Sequence, residues 1–369
     1  MSPNSVEIPA VIWGCLYAGG TVTPANPDLR PAELHRQLVS SRTKVLVVHP
    51  QCLKVAKEAF HLGQLDNIRL LVLEGNLQEV KSVTEFIDAV EGENHGSGKS
   101  HIQQTWTPIN PAVDIAYLVY SSGTTGYPKG VMISHRNVVA AVMLQSAVER
   151  LICLLHLPLW LGISTFFMEK FELRTFCRLV DEHNITQTYV APPVVIHVAK
   201  SPIVEQYNMK SLQMITSGGA PLSTGLINEL FHRRELPRWN ELSTGIGSNG
   251  APLPNLETKM MRSDGFAAVR KEEGELWIRG PTVFLGYMDD PGMTATCLTK
   301  DGWFKTGDIG YEDDQGNLYI TDRAKDMIKF KGYQVAPAEL EDVLLTHPAV
   351  DDAAVLGVIN QDIQSEVPF

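Results

Sequence analysis

Between Ser121 and Gly130 the chain reads Ser-Ser-Gly-Thr-Thr-Gly-Tyr-Pro-Lys-Gly. Glycines such as Gly123 and Gly126 let successive backbone N–H groups turn toward one anion. The hydroxyls of Ser121, Ser122, Thr124 and Thr125 add donors, and Lys129 adds a compact positive charge. That combination suits phosphate oxygens. It is not a Walker A loop, in which Gly-Lys runs into Ser or Thr, because Lys129 stands between Pro128 and Gly130.

Other stretches carry groups a nucleotide could use. Thr306-Gly307-Asp308 follows the apolar Trp303-Phe304, and an Asp at a strand end can accept hydrogen bonds from two neighbouring hydroxyls. Asp322–Glu341 is a long string whose first half, Arg323–Lys331, is a basic run holding Arg323, Lys325, Lys329 and Lys331. Ser217–Leu222 (SGGAPL) follows a strand-like run; its small residues would let a flat base approach the backbone, or make a tight strand-to-helix turn. Pro192–Val195 is apolar and suits either a pocket wall or ordinary core.

The loop, continued by Val131-Met132-Ile133-Ser134-His135, resembles the signature of the adenylate-forming (AMP-binding) superfamily, which includes acyl-CoA ligases, adenylation domains and beetle luciferase. From about Val11 to the C-terminus the sequence is similar to 4-coumarate–CoA ligase-like acyl-CoA ligases of fungal and plant type. The resemblance implies ATP/AMP binding by Ser121, Ser122, Gly123, Thr124, Thr125, Gly126 and Lys129, with Asp308 on the ribose and Arg323 and Gln334 on the nucleotide. It implies an acyl-adenylate lying along Gly218, Gly219 and Ala220 near Lys325 and Lys329, and CoA contacts at Lys170, Lys331 and Gly332. Lys129, Lys325 and Lys329 are the catalytic candidates, Lys325 being the hinge position; no residue is assigned as a metal ligand.

The implied reaction has two halves. A carboxylate attacks the α-phosphate of Mg²⁺-ATP, giving an acyl-adenylate and pyrophosphate; the thiol of CoA then takes the acyl group and AMP leaves. The cofactors are thus ATP, Mg²⁺ and CoA, and the partner is an aromatic or fatty carboxylic acid, with a role in secondary metabolism. A carrier-protein thiol is the alternative acceptor, although Lys331-Gly332 favours CoA. The family also carries segments this sequence is expected to lack: a portion before Trp13–Pro27, a His-containing stretch near Leu157–Met168, a Tyr-Gly-x-Thr-Glu motif with a Mg²⁺-binding Glu near Trp239–Ser248, and a terminal Lys. These departures make a catalytically impaired nucleotide- or acyl-binding homologue the second functional expectation.

Such groups need rigid elements to hold them. Lys44–Val48 and Arg69–Leu73 are short apolar runs that suit parallel strands, with a helix from Pro31 to Val39. Ile115–Tyr120 reads as the strand entering the loop, and Asn137–Glu149 as a helix. Gln187–Val190 and Leu212–Thr216 read as strands, and Leu222–Arg234 as a helix. After Glu273 come β-rich runs, Glu275–Arg279, Trp303–Thr306 and Leu318–Thr321, with a hairpin turn at Asp314–Asn317. A helix at Ala338–Leu345 and a strand at Ala353–Val358 follow, while Glu91–His101 is polar loop. The fold class is therefore α/β: a large N-terminal domain of mixed, mostly parallel sheets layered with helices plus a β-rich subregion (1–322), then the start of a small α+β C-terminal lid domain (323–369).

Composition narrows the partners. The net charge of −11 in 369 residues argues against a nucleic-acid partner, which needs basic patches. The five cysteines are scattered without a Cys-x-x-Cys pair, as expected of reduced thiols and not of a metal cluster. Ile8–Gly20 is apolar but lacks the basic start of a signal peptide, and no run reaches the length of a membrane span. The expectation is a cytoplasmic protein; a peroxisomal address would need a tail other than Val-Pro-Phe.

Overall fold

The structure is a computed structural model that describes residues 1–75, 80–88, 107–121, 128–144, 155–217, 225–227, 230, 247–324, 328–330, 333–335, 337, 340–341, 344, 350, 354–360 and 365–368. The chain forms two compact units. The first holds residues 1–140, 155–171 and 284–294; the second holds 141–154, 172–283 and 295–369.

In the first unit, Val45–Val48 and Arg69–Val72 pair in parallel, Val48 opposite Val72. Both of these valines are fully buried. The helix Pro31–Ser40 starts with proline, whose fixed φ suits the first helical turn, and Glu33 accepts the Arg30 N–H at 2.8 Å. It turns Leu34 and Leu38 into a core shared with Val48, Ala56, Ala59, Leu65 and Val72. Burying a leucine side chain this completely contributes about 1.5–3 kcal/mol, so this cluster anchors the unit.

The strand expected before the loop runs over Ile115–Ser121. The run Lys129–Ser134 after the loop is a strand too, antiparallel to the first with Ser121 opposite Lys129. The helix that follows spans His135–Met143, opened by Ser134 and Asn137: Asn137 Oδ1 accepts the Ser134 N–H at 2.8 Å, and Ser134 Oγ accepts the Asn137 N–H at 3.1 Å. Leu144, expected to continue the helix, is already a turn, and residues 145–149 of the expected continuation lie outside the described residues.

The second unit carries the parallel pair Gln187–Val190 and Met214–Ser217. Pro192–Val195 is the first turn of the helix Pro192–Lys200, whose Val195 and Val198 are buried. The β-rich part is a four-stranded antiparallel sheet in the order Leu318–Arg323, Phe304–Glu312, Gly274–Arg279, Glu257–Met261. Met260, Leu276 and Leu318 bury one face. On that sheet Lys259 Nζ lies 4.8 Å from the Trp277 ring centre and 4.1 Å from that of Trp303. The expected turn at Asp314–Asn317 is closed by Asp313, whose carboxylate accepts the N–H groups of Gln315 and Asn317, each at 2.8 Å. Two short hairpins follow, Ile328–Phe330 with Tyr333–Val335 and Gly357–Asn360 with Ser365–Pro368. Most of the expected helices at Leu222–Arg234 and Ala338–Leu345, and all of the expected loop Glu91–His101, fall outside the described residues. Among the described residues no helix is long and apolar enough to cross a membrane.

Candidate functional site

The phosphate-loop candidate is the connection of a hairpin in the first unit. Residues 122–127, including Ser122, Gly123, Thr124, Thr125 and Gly126, lie outside the described residues; Ser121 and Lys129 frame them as a facing pair. The frame is fastened from several sides. Met288 donates to the Gly130 carbonyl at 2.8 Å and Leu285 to that of Met132 at 2.9 Å. Tyr120 and Ser40 bring their hydroxyls to 2.6 Å. A Cβ on Gly130 would come within 2.9 Å of Leu118 Cδ1, so a larger residue there would displace the Leu118 side chain.

Lys129 itself is held. Its Nζ lies 3.3 Å from Asp290 Oδ2, both side chains being partly exposed. Asp290 opens the helix Pro291–Cys297: its Oδ1 accepts the Met293 N–H at 2.8 Å. That bond, helped by Lys129, keeps the Asp290 carboxyl below the usual carboxylate range. The neighbouring Asp289 takes Arg42 on both oxygens, at 3.0 and 2.8 Å.

The ribose-anchor candidate lies in the second unit. The pairing between Phe304–Glu312 and Gly274–Arg279 slips between Lys305 and Ile309, and Gly307 sits in the slip with φ +75. Asp308 is thereby turned to face Arg323, whose Nε is 3.2 Å from Asp308 Oδ1. The bulge is pinned. Gly307 donates to Glu275 Oε1 at 3.1 Å, and Asp308 donates its N–H to Thr306 Oγ1 at 3.0 Å. Thr306 donates to the Leu276 carbonyl at 2.8 Å, and Ala324 to that of Gly307 at 2.8 Å. Burial pushes the Asp308 carboxyl up, while Arg323 pulls it back. The result is a half-buried carboxylate with one cation beside it, able to accept from hydroxyl groups.

Lys329 and Gln334 are facing partners in the hairpin Ile328–Phe330 with Tyr333–Val335, and their backbones alone are described. Lys325, Lys331, Gly332, Gly218, Gly219 and Ala220 lie outside the described residues. Ser217, just before Gly218, ends a strand and has a buried hydroxyl without a hydrogen-bond partner among the described residues. Lys170 is exposed on the loop before the helix Leu173–His183. Among the described residues no group of three or more His, Cys, Asp or Glu gathers to hold a metal.

The sequence reading passed over Asp290 and Glu275. An Asp directly before Pro is a helix-start signal, which would have located Asp290 but not its partner. It also set aside His156. In the first unit His156 Nε2 lies 2.6 Å from the Tyr117 hydroxyl, four residues before Ser121, and the Trp13 ring is 6.4 Å away. Burial lowers the His156 pKa and raises that of Tyr117.

Comparison with known proteins adds three findings. The family described as AMP-binding enzyme matches residues 1–288. The chain is 33% identical over 410 residues to 4-coumarate–CoA ligase 1 of Petroselinum crispum, covering 99% of this chain and 73% of that protein. That stretch is longer than the 369 residues here, so the relative has internal segments without a counterpart in this chain. Among solved structures, the anthranilate CoA ligase AuaEII in complex with anthranoyl-AMP superposes with a TM-score of 0.85 at 22% identity, over 100% of this chain and 75% of that one. The amide bond synthetase McbA from Marinactinospora thermotolerans gives 0.83 at 22%, over 100% and 77%. These two likenesses establish the fold.

Proposed function

The chain belongs to the AMP-binding enzyme family, and from that premise we propose that it activates a carboxylic acid with Mg²⁺-ATP and passes the acyl group to CoA. The observation that carries this reading is the bulged strand presenting the half-buried Asp308 beside Arg323. An unpaired buried carboxylate is costly, and one that keeps a single exposed cation beside it has acceptor capacity left for ribose hydroxyls. Lys129 and the hydroxyls and N–H groups of 121–126 would hold the phosphates. The protein's work is to orient the carboxylate oxygen toward the α-phosphorus and to stabilise charge as pyrophosphate leaves. Bound Mg²⁺ would neutralise phosphate charge. The chain after Arg323 would then act as the lid domain, with Lys325, Lys329, Lys331, Gly332 and Gln334 facing the adenylate and the thiol substrate.

Two relatives' names support the acid: 4-coumarate and anthranilate are both aromatic acids. An aromatic acid is therefore the first class to test. CoA is the acceptor named for both. The experiment is pyrophosphate release with ATP, Mg²⁺ and a panel of aromatic and fatty acids, followed by mass detection of the CoA thioester. Release with at least one acid is expected; none with any acid would overturn the proposal. A second reading, nucleotide binding without turnover, is favoured by the internal segments that the Petroselinum crispum ligase has and this chain does not. Calorimetric ATP binding without pyrophosphate release would be its signature.

A further inference from the structure

Lys129 is not a free cation awaiting phosphate. Its ammonium is 3.3 Å from Asp290 Oδ2, and the other oxygen of that carboxylate is tied to the Met293 N–H at 2.8 Å. Asp290 is in turn set by its place at the start of the helix Pro291–Cys297 and by the Thr294 N–H, which donates to its carbonyl at 3.0 Å. The strand of Lys129 is joined to the same segment through Met288 and the Gly130 carbonyl at 2.8 Å. Both ends of the ion pair are thus attached to one piece of backbone. The Asp290 carboxylate therefore stays within reach of the Lys129 ammonium when an anion arrives.

We infer that Asp290 is a resident counter-ion for Lys129, a positioning residue that shares the ammonium with the incoming polyphosphate and weakens the site's hold on pyrophosphate. An ammonium has three donors, so it can keep Asp290 and still reach a phosphate oxygen. The fixed carboxylate then stands next to an anion of several negative charges, and like charges at this separation repel. ATP has adenine and ribose contacts to offset that repulsion, whereas pyrophosphate has only its charge. Asp290 therefore aims Lys129 for the first half-reaction and favours departure of the product. This inference rests on the proposed phosphate role of Lys129.

The test is calorimetric titration of inorganic pyrophosphate into the full chain, at low and at physiological salt. Asp290→Asn removes the charge but keeps an oxygen to cap Met293. It should bind pyrophosphate about 3- to 10-fold more tightly than wild type at low salt, with a smaller difference at physiological salt. Asp290→Glu should restore wild-type affinity, and Lys129→Met should bind pyrophosphate more weakly than wild type. Equal or weaker binding by Asp290→Asn, or a gain that Asp290→Glu does not reverse, overturns the counter-ion role alone. Absence of pyrophosphate binding by wild type and Asp290→Asn alike, or undiminished binding by Lys129→Met, overturns the phosphate role of Lys129 itself, and this inference with it. Should Asp290→Asn fail to fold, Asp290→Ser, which also keeps a capping oxygen, carries the same comparison.

Discussion

Asp308 and Arg323 are cross-strand partners, and the Arg323 Nε lies 3.2 Å from Asp308 Oδ1. Their environments differ: 57% of the Arg323 side chain is exposed but only 29% of that of Asp308. The pair is therefore a half-buried acceptor beside a solvated cation.

That asymmetry sets the first prediction. Burial raises the Asp308 pKa, so its contribution to stability is fully present only below its unfolded value and is lost as pH rises through the folded value. At neutral pH the ionised Asp308 is a cost to the fold. Asp308→Asn should leave the melting temperature unchanged or raise it by up to about 3 °C, because Arg323 remains solvated. ATP binding should weaken about 10- to 100-fold, the worth of hydrogen bonds to a charged acceptor. Thermal melts and ATP calorimetry check both; a clear fall in melting temperature would contradict this account.

Gly307 has nothing within 4 Å of an added Cβ, so a substitution there would meet strain from φ +75 alone. Gly307→Ala should cost about 1–2 kcal/mol of stability and displace Asp308, raising the KM for ATP. Urea unfolding together with ATP kinetics tests this. Loss of stability with unchanged KM would show that the bulge does not position Asp308.

Lys129 and Asp290 are both partly exposed, and such pairs contribute about 0–1 kcal/mol to folding. Lys129→Met should therefore melt within about 3 °C of wild type while pyrophosphate release with ATP and an acid falls by at least about 10-fold. Retained activity would remove Lys129 from the proposed phosphate set.

His156 gives a pH dependence of opposite origin. Burial lowers its pKa from 6.5, so the stability it contributes is present above 6.5 and is lost as pH falls through the folded value. Melting temperatures should decline as pH falls below about 6.5, and His156→Gln, which can still bond Tyr117, should flatten that decline. Identical slopes in the two proteins would exclude His156 as a source.

Strands whose apolar runs are bounded by turn residues were legible in the sequence. Val45–Val48 and Gln187–Val190 formed where expected, and both pair in parallel. Lys129–Ser134 escaped notice because its few residues carry no period of their own; Ile115–Ser121 and Gly286–Tyr287 make it a strand. The same holds at the site. Lys129, Asp308 and Arg323 stand in distinctive strings, but Asp290 reaches Lys129, and Glu275 reaches Gly307, through pairing between distant parts of the chain. Local spacing cannot report such contacts.

The bond from the Ala324 N–H to the Gly307 carbonyl, at 2.8 Å, has a mechanical meaning. It bolts the first residue beyond Arg323 to the glycine that turns Asp308 into place. A rotation that begins before Ala324 must shear this bolt and drag the carboxylate with it. A rotation that begins after Ala324 leaves both untouched. Only a swivel that starts beyond Ala324 would turn on a fixed bearing, leaving a sugar held by Asp308 still while the rest moved.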